Sequence, residues 1–60
     1  MKKLKVRYNN FPYYVNEFGY LEGGTFLHGR EDMVLVYFPD KDELKFCELS
    51  LITPIGYEEV

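Results

Sequence analysis

The sequence predicts an all-β fold, a single small antiparallel sheet of five short strands that curls into a barrel. Three observations carry this. Near the N-terminus apolar and charged residues alternate with the period of two that marks a half-exposed strand. The apolar segments are short, rich in β-branched and aromatic residues, and separated by Asn, Gly, Pro and Asp, the residues of turns. No segment shows the one-sided pattern of an amphipathic helix. Sixty residues make one domain. With no helices to form a second layer, the sheet must pack on itself, which also hides its strand edges.

Leu4, Val6 and Tyr8, set against Lys3, Lys5 and Arg7, predict a first strand over residues 4–8. Asn9 and Asn10 predict a turn, because Asn tolerates left-handed backbone. Residues 11–15 are β-rich, but Pro12 lacks an amide donor, which makes the segment an edge, a bulge or an ordered loop, with Phe11 entering the core. Residues 16–19 read as a second turn, and 20–27 as a strand bent at Gly23-Gly24. A polar loop follows over 28–32. MVLVYF, residues 33–38, is apolar throughout and reads as a central strand, covered on both sides or crossing the middle of a barrel. Pro39 ends it, residues 40–43 form a turn, and 44–49 return as the second arm of a hairpin. Asp40 and Glu43 have capping-box spacing, which would start a helix over 41–52. Leu44, Phe46, Cys47, Leu49, Leu51 and Ile52 would surround such a helix and leave it no polar face, so the strand is favoured. The barrel then spans residues 1–56, and 57–60 form a short, frayed acidic tail.

A long first loop, a bent Gly-Gly strand, a central apolar strand, a tight acidic hairpin and a terminal LSLITPI together resemble the SH3-like small barrels. The resemblance covers most of the chain and implies a short 3-10 turn before the last strand, here residues 48–52, with 53–55 as that strand. The peptide-binding SH3 group uses an ALYDY-type aromatic run, a tryptophan and a late Pro/Tyr pair. This chain has Pro12-Tyr13-Tyr14 but no tryptophan, so the resemblance implies a barrel and not the recognition of proline motifs.

Composition narrows the chemistry. One cysteine and one histidine cannot form an intrachain disulfide or complete a tetrahedral metal site, so no metal and no cofactor is expected. His28 lies in a polar loop and reads as a solvated turn residue, and Cys47 reads as a small buried hydrophobe. Asp40, Asp42 and Glu43 lack the further ligands of a calcium loop. Catalysis is therefore not expected. The start MKKLKVRY lacks the apolar stretch of a signal peptide, and no apolar run reaches membrane-spanning length, so a cytoplasmic protein with no membrane partner is expected. Phe, Tyr, Ile, Asn and Lys, whose codons are A/T-rich, supply 21 positions against 10 for Gly, Ala, Arg and Pro, which points to a bacterial or bacteriophage genome.

The aromatic content is 18%, with eleven Phe and Tyr, more than the interior of so small a barrel needs. Tyrosine suits a rim, with its ring packed and its hydroxyl wet. Tyr13, Tyr14, Phe18 and Tyr20, with Glu17 and Glu22 at the edge, are the candidate surface for a protein partner. The alternative is that these rings only cap the barrel. The basic first strand offers a second candidate: Lys3, Lys5 and Arg7 facing nucleic-acid phosphates. Against it, residues 8–60 carry three basic and ten acidic side chains. The opposition of basic strand and acidic body also suits a homodimer.

Overall fold

A computed structural model of the chain describes residues 1–23 and 32–60. The expected strand beyond Gly23, with Gly24, and the His28 loop through residue 31 lie outside the described residues. Five strands follow one another: β1 (Lys2–Asn10), β2 (Tyr14–Leu21), β3 (Met33–Phe38), β4 (Glu43–Glu48) and β5 (Ile52–Glu59). They form one antiparallel sheet in the order β4-β3-β2-β1-β5. A single turn of 3-10 helix, Leu49–Leu51, precedes β5. The all-β expectation holds, and the helix considered over 41–52 is replaced by β4 and this turn.

The sheet curls but does not close. β4 and β5 are its two edges, and no ladder joins them among the described residues. A tight hairpin would set two consecutive strands side by side. Here the 3-10 turn carries the chain across the gap, and Leu51 and Ile52 pack against the core from that crossing. The barrel is thus approximate.

One face of the sheet holds the core. Val6 and Tyr8 of β1, Val34, Val36 and Phe38 of β3, and Cys47 of β4 are buried. Leu4, Tyr14, Leu21, Leu51 and Ile52 pack around them. Of the two expectations for the uninterrupted run of β3, even cover on both sides is not met: Val34, Val36 and Phe38 are enclosed, while Met33, Leu35 and Tyr37 are half-buried on the opposite face of a strand inside the curled sheet.

Two irregularities decide which residues face outward. Between β1 and β2, Tyr8 pairs with Glu17 and Asn10 with Tyr14, so two steps of β1 oppose three of β2. The extra residue is a bulge, and Asn16 within it has φ 51°. The turn expected over 16–19 is therefore a bulge inside β2, and the left-handed tolerance of Asn serves the bulge instead of a reversal. An extra residue reverses the alternation of faces. Gly19 lies opposite Val6 on the inner face, Phe18 and Tyr20 point outward opposite Arg7 and Lys5, and Tyr14 is turned inward. The reversal itself comes earlier, at residues 11–13, where the Tyr13 amide donates to the Asn10 carbonyl at 3.1 Å beside a cis Phe11–Pro12 bond. The expected long first loop is a tight hairpin.

The second irregularity lies between β1 and β5. Lys5 pairs with Gly56 and Val6 with Pro54, leaving one extra residue in β5. Beyond it the ladder continues through Tyr57, Glu58 and Glu59 opposite Leu4, Lys3 and Lys2. The Val60 amide donates to the Met1 carbonyl at 3.0 Å. Of the residues expected to fray, 57–59 thus form the end of β5 and Val60 bonds back to Met1. Lysines on β1 face glutamates on β5, so unlike charges line up across the strands.

Candidate functional site

Tyr14 belongs to the core. Its ring centroid lies 5.1 Å from that of Tyr8 and 5.4 Å from that of Phe38. Its hydroxyl donates to Glu43 at 2.8 Å. That bond, reinforced by desolvation, pushes the phenol up to about 12. The ammonium groups of Lys41 and Lys45 each sit 5.5 Å from the ring centroid, and Lys41 also meets Glu17 at 3.7 Å. Every polar partner of Tyr14 comes from the β3–β4 hairpin or β4, so it ties that hairpin to β2.

Phe18 and Tyr20 stand on the opposite face, among the cations of β1. The Lys5 ammonium lies 4.8 Å from the Phe18 ring centroid and 3.3 Å from Glu58. The Tyr20 hydroxyl donates to the same Glu58 at 2.8 Å. Hydrogen bonds from Tyr20 and from Lys5 hold the Glu58 carboxyl below its ordinary value, and the bond to Glu58 raises the Tyr20 phenol. Lys3 donates to Glu22. The aromatic surface and the basic surface, separate in the sequence, are one face. On it Glu22 and Glu58 neutralise Lys3 and Lys5. Arg7, half-buried, has no ion-pair partner among the described residues.

Phe18 is itself exposed on this face, and Tyr57 of β5 is exposed as well, but the most exposed aromatics gather at the tip of the β1–β2 hairpin. Phe11 is 78% exposed, Tyr13 81% and Val15 58%. Phe11 is not in the core as expected: Tyr8 and Tyr14 already close that end against Phe38, and the tip projects beyond them. Of the six candidate residues for a protein partner, only Tyr13 sits at this tip. Phe11 and Val15 join it. The signal for both was Pro12, which breaks the pairing and places its neighbours at a reversal. Compared with known protein families, curated proteins and solved structures, this chain matches none.

At the other end of the curled sheet an apolar groove of about 360 Å³ opens between Leu4, Val6, Leu21, Val34, Leu49 and Ile52. Its walls come from β1, β2, β3, the 3-10 turn and β5, so no single strand segment foretold it. Cys47 is fully enclosed, its thiol donating to the Lys45 carbonyl at 3.6 Å, and burial pushes it up to about 11. That matches the sequence reading of Cys47 as a small buried hydrophobe. Among the described residues no three His, Cys, Asp or Glu side chains group to hold a metal ion, and no helix is long and apolar enough to cross a membrane.

Proposed function

We propose that this chain is a protein-binding module on an SH3-like scaffold, and that it engages its partner through the tip of the β1–β2 hairpin. The observation that carries the reading is the exposure of Phe11, Tyr13 and Val15 together at a reversal. Aromatic side chains held on a tight hairpin lose little freedom on binding, and desolvated aromatics supply most of the affinity at protein interfaces. The strand order and the 3-10 turn before β5 support the scaffold half of the reading. No charged side chain lies within residues 8–16, which suits the charge-depleted centre of an interface. The nucleic-acid alternative draws less support, because phosphates would have to displace carboxylates from both Lys3 and Lys5.

Screening the immobilised chain against a displayed library of folded domains tests this. The wild type enriches a partner, and the double substitution Phe11→Ser, Tyr13→Ser loses it while keeping its thermal unfolding transition. Enrichment that survives the double substitution removes the tip as the site.

A further inference from the structure

Across the outer face, Phe18, Arg7 and Thr53 form one cross-strand row, because Arg7 pairs with Phe18 on β2 and with Thr53 on β5. The row beside it is Tyr20, Lys5 and Gly56. Its charge is closed within the chain, since Lys5 meets Glu58, which also accepts from the Tyr20 hydroxyl. One step further along β1, Lys3 meets Glu22. The Arg7 row is not closed. The Arg7 guanidinium and the Thr53 hydroxyl have no hydrogen-bond or ion-pair partner among the described residues. Directly opposed side chains stand about 4.5–5.5 Å apart at Cβ, so two unfilled donors lie side by side. Resting on the reading of the tip as a binding element, we propose that Arg7 and Thr53 continue that surface as a carboxylate-recognition position, so that the partner segment held by the tip is acidic.

The position is continuous with the tip. Asn9 lies opposite the bulged Val15 and Asn16, between the Tyr8–Glu17 and Asn10–Tyr14 pairs. Arg7 is one same-face step from Asn9, roughly 6.6 Å at about 3.3 Å per residue. Val15 is exposed, so hydrophobe and cation are spaced like alternate residues of an extended chain. A partner strand with an apolar side chain on Val15 therefore brings the side chain two positions along to Arg7. The chemistry there selects a carboxylate. A guanidinium presents its donors as a planar fork that a carboxylate fills with two bonds. Arg7 is half-buried, so part of its solvation is already lost. No carboxylate lies within residues 8–16 to compete for it. One free cation suits one carboxylate. Nucleic acid needs several cations along its phosphates, and Lys3 and Lys5 are already neutralised.

Nuclear magnetic resonance titration of the chain with two defined tripeptides is the test. Acetyl-Phe-Gly-Asp-amide carries an apolar side chain and a carboxylate two positions apart, and acetyl-Phe-Gly-Asn-amide lacks only the charge. Each is run in both residue orders, Phe first and Phe last. The Asp peptide should shift the Arg7 Nε–H, Thr53 amide and Val15 methyl signals, and bind about three- to tenfold more tightly than the Asn peptide. Salt at about 0.5 M should remove that difference. Arg7→Gln should remove it too, with an otherwise unchanged amide spectrum. If Arg7→Gln impairs folding, the salt series on the wild type gives the same reading. Uridine monophosphate, as a phosphate probe, should bind more weakly than the Asp peptide. Equal affinity for the two peptides, or tighter binding of the nucleotide, overturns the inference. Equal affinity with the Val15 signals still shifted leaves the tip reading standing. No shift from either peptide also overturns the inference, and the displayed-domain screen then decides the tip by itself.

Discussion

At the scale of single residues, Tyr14 and Tyr13 are neighbours with opposite fates. Tyr13 is wet at the tip, and Tyr14 packs between Tyr8 and Phe38 with its hydroxyl on Glu43. The raised phenol of Tyr14 makes stability depend on alkaline pH. Its folded value of about 12 lies above the model-compound value of 10.0, so the protonated form is favoured in the native state. That contribution is fully present below pH 10.0 and is lost as pH rises towards 12. In thermal melts between these limits, Tyr14→Phe should lose Tm less steeply than wild type. Parallel curves would mean that the Glu43 hydrogen bond has no linkage to folding. Cys47, buried and likewise raised, gives a second residue-level expectation. At neutral pH its thiol should react with an aromatic disulfide reagent no faster than the chain unfolds; a fast phase under native conditions would show the thiol to be accessible.

At the scale of elements, β2 is where sequence and structure part most. Period two found β1 because Lys and hydrophobe alternate there without interruption; β3 was found as an unbroken apolar run, and β4 as its hairpin return, because Pro39 and the acidic turn bound them. The same pattern failed in β2. Asn16 and Gly19 are both turn residues by composition, and here each does something else. Asn16 adopts left-handed backbone to add a residue to the strand. Gly19 faces the core at a position where a Cβ would lie 2.6 Å from Val36 Cγ1 and 2.8 Å from the Tyr37 carbonyl oxygen. Neither role is written in its own segment: the bulge depends on register against β1, and the close approach at Gly19 on β3, far along the chain. Gly19→Ala should cost about 1–3 kcal/mol as an overpacking substitution, read from urea denaturation. Asn16→Gly should be nearly neutral, whereas Asn16→Val should cost about 1–2 kcal/mol through the left-handed backbone. A neutral Asn16→Val would show that the bulge relaxes easily and does not fix the faces. The end of β5 was illegible for a related reason: residues 57–60 look like a polar tail until Lys2 and Lys3 are placed opposite Glu59 and Glu58.

At the scale of the whole molecule, the bulge sorts the aromatic-rich first third into three populations. Tyr8 and Tyr14 complete the core, Phe18 and Tyr20 line an outer face whose charges are paired, and Phe11 and Tyr13 are left at the tip. Charge follows the same economy. The basic N-terminus that suggested nucleic acid meets Glu22 and Glu58 within the chain, so a low-salt fluorescence titration with single-stranded RNA or DNA should show no binding at micromolar protein. Saturable binding lost in a Lys5→Gln variant would reverse that assignment. The tip is exposed and contributes little to the fold, while Tyr14 beside it packs against the core. Thermal unfolding of two variants tests it most directly. Phe11→Ser with Tyr13→Ser should stay within about 8 °C of wild type, because exposed substitutions cost at most about 0.5 kcal/mol each. Tyr14→Ser should lose well over 10 °C, corresponding to roughly 2–3 kcal/mol of packing. A double variant that loses as much as Tyr14→Ser would contradict the account.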